Sequence, residues 1–137
     1  MKVFSTSFPV RYYETDQMGI VHHSNYIRFF ENARSQMMVD LGCPIEEFEK
    51  KFGVLIPIVS VECRYRHPAR MGDVLTATAH VVREPMAKME VAQTVVNQRG
   101  EVCAEGLVVL GFIDSKTFRP TRCPEEIVKM FEQLNNR

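Results

Sequence analysis

The chain has 137 residues, of which 45% are hydrophobic and 25% charged, the proportions of an ordinary globular protein. This length predicts a single domain over residues 1–137. The 17 basic and 17 acidic residues cancel, which argues against a dedicated nucleic-acid binder, and no apolar run reaches the ~18 residues of a membrane span. The N-terminus lacks the apolar core of a secretory signal, and the four cysteines show no CxxC pair, so we expect reduced thiols in a cytoplasmic protein.

The predicted elements begin with a strand and one long helix. Residues 3–11 alternate in polarity, with Phe4 and Phe8 on the same side. From Asn25 to Leu41, large apolar side chains recur at spacings of three and four, which predicts a helix. So many apolar groups on one helix indicate that other elements surround it. The residues that follow, up to position 57, read as a loop.

Later segments read as strands and then a short C-terminal helix. Their residue patterns predict strands over 58–66, 74–83, 89–97 and 102–113. Pro124 in the first turn, followed by two acids, predicts the helix over 124–134. Short turns join the last three strands, which favours an antiparallel meander because parallel strands need long crossovers. The sum is an α+β fold of one helix on one sheet. Because Ile58, Val95 and Val108 make burial on both faces plausible, we expect self-association.

The stretch RYYETDQMGIVHHSNY, residues 11–26, places an acid just ahead of the long helix. Free N–H groups at a helix start favour negative charge and could polarise a carbonyl oxygen. Asp16 could attack that carbonyl or activate a water against it, with His23 adding a donor, which suits acyl transfer to water. Asp16 could equally be a turn or capping residue. Together with His22 and His23 it lacks the spacing of a metal site.

Three motifs carry a family resemblance. The first is YxxTDxxGxxxHxxY, formed by Tyr12, Thr15, Asp16, Gly19, His23 and Tyr26, and the others are FFENAR and RHPARMGD. They resemble hot-dog-fold acyl-CoA thioesterases of the 4-hydroxybenzoyl-CoA thioesterase type, close to the branch associated with the Tol–Pal envelope system. The resemblance covers almost the whole chain, although His22 stands where that branch usually has an aromatic residue.

The resemblance implies a five-stranded antiparallel sheet wrapped around the central helix, in homodimers or homotetramers with active sites at the dimer interface. Asp16 would be the nucleophile or general base. The N–H near His23 would hold the thioester oxygen, with the His23 side chain assisting and Tyr12 in support. No metal or organic cofactor is implied, since coenzyme A is part of the substrate.

Other residues are candidates for holding the rest of the substrate. Basic side chains are expected near the coenzyme A phosphates, and Arg64, Arg83 and Lys88 are the candidates, although exposed basic residues are common. The resemblance implies an acyl group lying along the helix, near Tyr26, Val59 and Ser60.

Two functions fit these observations. The first is hydrolysis of acyl-CoA, and the alternative is a non-catalytic module that binds acyl-CoA or acyl carrier protein on the same fold. Asp16 together with His23 favours the enzyme, because a binding module has no use for a carboxylate beside an acyl carbonyl.

Overall fold

The computed structural model describes residues 2–135. In chain order its elements are β1 (Phe4–Pro9), α1 (Asn25–Asp40), α2 (Ile45–Phe52), β2 (Val54–Leu55), β3 (Ile58–Tyr65), β4 (Val74–Val81), β5 (Lys88–Val96), β6 (Val102–Gly111), β7 (Ile113–Asp114) and α3 (Glu125–Asn135). A short 3₁₀ helix, Tyr12–Glu14, lies between β1 and α1. No helix within residues 2–135 combines the length and apolarity needed to cross a membrane.

Five strands form one antiparallel sheet in the order β1-β4-β5-β6-β3. The hairpin neighbours β4, β5 and β6 are the predicted meander, which is confirmed. Strands β1 and β3 form the two edges of the sheet. Outside it, β2 and β7 pair with each other, with Val54 opposite Asp114.

The predicted long helix is confirmed as α1, which packs across one face of the sheet against β1, β4 and β5. Its buried apolar side chains are Tyr26, Phe29, Phe30, Ala33, Met37 and Met38, at the spacing of one helical face. The facing positions of β4 include Ala77 and Ala79, both fully buried, and such small side chains let the helix approach closely. Burial of each large side chain stabilises the fold by roughly 1.5–3 kcal/mol.

The expectation that Val95 and Val108 indicate burial on both faces of the sheet was wrong, because both lie on the same face. Both are fully buried on the face of the sheet that α1 packs against, and the opposite face carries polar residues such as Thr78 and Thr94. The uncovered apolar surface is instead the edge strand β3, where Val59 is 53% exposed. The reason is geometric: successive strand residues point to opposite faces, and α1 packs mainly against β1, β4 and β5, which leaves the β3 edge less covered.

Residues 45–52, which the sequence analysis assigns to a loop, form the helix α2. Its apolar residues Ile45, Phe48 and Phe52 recur at helical spacing, but a helix of eight residues gives only a short repeat, which the sequence analysis did not use. The end signals are nevertheless present. Glu46 and Glu47 lie in the first turn, where the helix dipole favours acids, and Gly53 ends the helix in a left-handed conformation with φ of 65°.

The contact between β6 and the edge strand β3 depends on a glycine. A Cβ atom added at Gly106 would lie 1.9 Å from the carbonyl oxygen of Glu62 and 3.2 Å from the Cα of Cys63. Both are backbone atoms, so no side-chain rearrangement could relieve the clash. Gly106 therefore allows β3 to lie close to the rest of the sheet.

Candidate active site

The loop between β1 and α1 folds back on itself and carries Asp16 at its turn. Thr15 and Val21 pair as an isolated antiparallel bridge. Within it, the Asp16 N–H donates to the Ile20 carbonyl (2.9 Å) and the Gly19 N–H donates to the Asp16 carbonyl (3.0 Å). The φ of Gly19 is 77°, a left-handed conformation that glycine adopts without strain. The loop is therefore a small hydrogen-bonded unit rather than an irregular connection.

The base of this loop is fastened to the first turn of α1. The Glu14 carbonyl accepts two hydrogen bonds, from the His22 N–H (2.8 Å) and from Nδ2 of the buried Asn25 (2.9 Å). Ser24, the residue before the helix, has its hydroxyl 2.8 Å from Nδ1 of His22. Ser24 makes no side-chain cap of the helix, and the Asn25 amide instead fixes the backbone two residues before Asp16.

The Asp16 carboxylate has a local role and also faces a cavity. Its Oδ1 accepts a hydrogen bond from the Met18 N–H (2.8 Å), an Asx turn. The half-buried side chain also lines a cavity of about 330 Å³. The other lining residues are Met18, Ile20, Val21, His23, Tyr26, Tyr65, Arg66, His67 and Pro68. The carboxylate is thus held in place by the turn while remaining beside a space that a ligand could enter.

Most backbone amides near the helix start are already used. The Ser24 N–H donates to Nδ1 of His22 (3.2 Å), the Asn25 N–H to the His22 carbonyl (3.0 Å) and the Tyr26 N–H to the His23 carbonyl (3.4 Å). The His23 N–H has no acceptor among residues 2–135. It is therefore the amide that an incoming carbonyl oxygen could meet at the positive end of α1.

The two adjacent histidines have different surroundings. Their rings stack with centroids 4.2 Å apart, and His22 is anchored to Ser24, whereas His23 lines the cavity beside Asp16. In the part of the chain that the structure describes, no three His, Cys, Asp or Glu side chains are grouped to hold a metal ion.

Tyr65 belongs to the same cavity, although its sequence shows only a residue of an alternating strand. Its hydroxyl donates to the His23 carbonyl (3.2 Å). Its ring lies edge-on to that of Tyr26, with centroids 5.4 Å apart. The Tyr26 hydroxyl in turn accepts a hydrogen bond from the Ala69 N–H (3.2 Å), and burial raises the pKa of Tyr26. No local sequence signal could have found this contact, because Tyr65 and His23 are 42 residues apart.

Of the predicted site residues, Asp16, His23 and Tyr26 line this cavity, and the others do not. Tyr12 is 80% exposed, and its backbone carbonyl accepts a hydrogen bond from the Thr15 hydroxyl.

The remaining predicted residues lie on the sheet or, for Arg83, just beyond the end of β4. Val59 and Ser60 are exposed near the start of β3, away from the Tyr65 end. Arg64 lines a shallow groove on the outer face together with Thr78. Arg83 pairs with Glu90 (3.1 Å), and Lys88 begins β5.

A second cavity, of about 140 Å³, lies between the C-terminal half of α1 and the sheet. Three methionines line it, Met37, Met38 and Met89, with Ile58 at the edge strand. At its rim, Nη1 of Arg34 donates to Oε1 of Gln93 (2.9 Å), and burial lowers the pKa of this arginine. The cavity is mostly apolar and suits a hydrocarbon group.

Comparisons with known proteins agree with this architecture. Residues 10–131 match the thioesterase-like superfamily, and the chain belongs to that superfamily. A Bacillus subtilis protein provisionally named acyl-CoA thioesterase YneP is 35% identical over 122 residues, 88% of this chain and 86% of that protein. The acyl-CoA thioester hydrolase YbgC of Escherichia coli O157:H7 is 29% identical over 129 residues, 92% of this chain and 95% of that protein.

A solved structure extends the comparison to the fold. The DHNA-CoA thioesterase of Staphylococcus aureus superposes with a TM-score of 0.89 at 27% identity, covering 99% of this chain and 95% of that one. The family resemblance and the hot-dog fold predicted from the sequence are confirmed. The predicted enzyme class, a thioester hydrolase, is likewise confirmed at the level of the family.

Proposed function

We propose that the protein hydrolyses acyl-CoA thioesters to a carboxylic acid and free coenzyme A, with Asp16 as nucleophile or general base. One observation carries the proposal: the Asp16 carboxylate and the residue with the free amide, His23, line the same cavity at the start of α1. The names of the Bacillus and Escherichia relatives support the substrate class.

The chemistry follows from the charge that develops during hydrolysis. When a nucleophile adds to the thioester carbon, the carbonyl oxygen becomes an oxyanion, which the His23 N–H and the α1 dipole would stabilise. Asp16 would either attack the carbon itself, giving an anhydride that water then cleaves, or take a proton from an attacking water. In both routes the C–S bond breaks, the thiolate of coenzyme A leaves and takes up a proton, and water supplies the oxygen of the acid.

The experiment that tests this proposal is the substitution Asp16→Asn. The asparagine keeps an oxygen that can accept from the Met18 N–H, so the Asx turn and the fold should persist. We expect thioester hydrolysis to fall by at least ~10²-fold, because a positioned base or nucleophile is lost. Free-thiol release over a panel of short, long and aromatic acyl thioesters measures this, with Asp40→Asn as the control for an exposed carboxylate on α1.

Turnover close to that of the wild type in Asp16→Asn would remove this residue from the mechanism. The alternative function, a non-catalytic module for acyl-CoA or acyl carrier protein, would then gain support, because the Asx turn gives Asp16 a purely structural role. Presenting each acyl group on coenzyme A and on acyl carrier protein in the same panel identifies the carrier.

We further propose that the protein is a homodimer or homotetramer that associates through β3. This edge strand exposes Ile58 (47%), Val59 (53%) and Val61 (37%), and an open edge with apolar side chains favours pairing with another strand. A symmetric pairing of two β3 strands would run antiparallel, with the Ile58 end of one beside the Tyr65 end of the other. Those ends are seven residues apart, or about 23 Å.

This arrangement would complete the substrate site. Lys88 is paired through Gly111 and Leu110 to the Ile58 end of the sheet, far from Asp16 of its own chain. In the proposed dimer, Arg83 and Lys88 would approach the partner's cavity, where they could contact the phosphates of coenzyme A. The second cavity, lined by methionines, would likewise come closer to the partner's Asp16 and could receive the acyl chain.

We also propose that the reaction needs no metal or organic cofactor and takes place in the cytoplasm. Asp16 and the His23 amide supply the attacking and stabilising groups without one. All four cysteines are free, which fits a reducing compartment.

A further inference from the structure

We propose that Tyr65 is a positioning residue of this site, which holds the backbone of His23 so that the His23 N–H points at the thioester oxygen. The inference rests on the proposed function and adds to it a residue that neither the motif nor the helix start contains. Its basis is a hydrogen bond between the edge strand and the residue that bears the free amide.

The contact is made from outside the loop. The Tyr65 hydroxyl donates to the His23 carbonyl at 3.2 Å, and the Tyr65 ring stands edge-on to the imidazole of His23, with centroids 6.3 Å apart. The same carbonyl is the acceptor of the long 3.4 Å hydrogen bond from Tyr26. The Tyr65 hydroxyl therefore reinforces a weak first turn at the point where the loop becomes the helix.

Other contacts restrain the Tyr65 ring. It packs against Tyr26, whose hydroxyl is held by the Ala69 N–H just beyond the end of β3. Tyr65 itself is paired with Ala104 of β6, so its backbone belongs to the sheet. A hydroxyl fixed by a sheet and an aromatic neighbour can hold a loop carbonyl more firmly than a hydrogen bond within the loop.

The hydroxyl is also in the correct protonation state for this task. Burial, together with the nearby Cys63 thiol, raises the pKa of Tyr65, so the group keeps its proton through neutral pH and remains a donor. If this donor is lost, the peptide between His23 and Ser24 loses a restraint. The His23 N–H belongs to the preceding peptide, which is joined to this one at the His23 Cα, so its direction should change as well. Donors stabilise an oxyanion only when they lie about 2.7–3.1 Å from its position, so a small rotation weakens the transition state more than the bound substrate.

The test is Tyr65→Phe, which keeps the ring and removes only the hydroxyl. We expect kcat for thioester hydrolysis to fall about tenfold while KM stays within about twofold, because the interaction acts mainly in the transition state. Amide hydrogen exchange at His23 and Ser24 should become about tenfold faster. The matched control is Tyr13→Phe, which removes a hydroxyl from an exposed tyrosine in the segment between β1 and α1 and should change neither quantity.

A rescue variant separates positioning from packing. Replacing Tyr65 with 4-aminophenylalanine restores a donor at the same place and should recover most of kcat. An unchanged kcat and unchanged exchange in Tyr65→Phe would overturn the proposal, as would a rise in KM alone, which would make Tyr65 a substrate contact. If the wild type releases no thiol from any thioester, the proposed function fails on its own, and unchanged exchange in Tyr65→Phe would still overturn the positioning role.

Discussion

Four valines lie in one row across the sheet, and their environments differ sharply. Val81, Val91 and Val108 of the three central strands are 5%, 0% and 0% exposed. Val61, the last of the row on β3, points to the same face but is 37% exposed. A valine side chain is thus buried in the core in three of the strands and partly exposed in the fourth. The difference supports the proposal that β3 associates with a second copy of the chain.

The comparison extends to function. Strands β1, β4 and β5 pack against α1, whereas β3 carries Tyr65 into the candidate active site and presents apolar side chains outward. Stability should therefore be concentrated in the central row, and assembly and catalysis at the edge. Substitutions in the two regions should affect different measured quantities.

The largest effect is expected at the edge. Val61→Lys should weaken self-association by at least ~100-fold, about 2.7 kcal/mol, because a charge would be buried between the paired strands. The lysine can reach solvent in the monomer, so the fold should persist. Sedimentation velocity across a concentration series measures the change.

Val3→Lys is the matched control, since Val3 is 54% exposed beside β1, the opposite edge of the sheet. Association that survives Val61→Lys, or a wild type that sediments as a monomer at micromolar concentration, would show that β3 is not the interface.

The next effect concerns stability. Val91→Ala should lower the free energy of unfolding by about 2–3 kcal/mol, because the removed methyl groups leave a cavity beneath α1. Val61→Ala, in the same row, should cost less than about 1 kcal/mol per isolated chain. Urea unfolding at low protein concentration compares the two. Equal losses would contradict the division between a stabilising centre and a functional edge.

The smallest effect concerns a buried acid at the end of the sheet nearest the site. Asp73 accepts hydrogen bonds from Nε2 of Gln98 and from the Arg70 N–H, both 2.9 Å. Burial alone would raise the pKa of Asp73, but these hydrogen bonds and the nearby Arg99 lower it overall. Asp73→Asn should therefore cost about 1 kcal/mol at pH 7.

The pH dependence follows from the direction of this shift. A folded-state pKa below the unfolded value means that the contribution of Asp73 is complete above the unfolded pKa, about 3.9, and is lost as pH falls through the folded value. Unfolding curves at pH 7 and near pH 3 should show the difference between wild type and Asp73→Asn shrinking in acid. A difference between wild type and Asp73→Asn that stays constant between the two pH values would refute the linkage.

The sequence predicted those parts of the fold that depend on local periodicity. The long helix, the meander and the terminal helix each have an apolar repeat or a capping signal within a few residues. Helix α2 was missed because it spans only eight residues, although Gly53, the paired acids and the helical spacing of Ile45, Phe48 and Phe52 were visible. The β2–β7 pair could not be predicted, since two-residue strands about 59 positions apart leave no periodic pattern.

The site shows the same limit. The motif located Asp16, His23 and Tyr26, which the structure does bring to one cavity. It could not show that Asn25 fastens the loop through Glu14, or that Tyr65 reaches His23 from another strand. Nor could alternation separate Val61 from Val91, because exposure depends on the place of a strand in the sheet and not on its own sequence.

Gly106 determines how closely the edge strand β3 approaches the central strands. Any side chain there would collide with the backbone of β3 and push that strand outward. Tyr65 and Val61 would move with β3, while α1 and the central strands could stay folded. A side chain at position 106 would therefore displace the strand on which the proposed association and the proposed role of Tyr65 both depend, so few replacements of Gly106 should be tolerated.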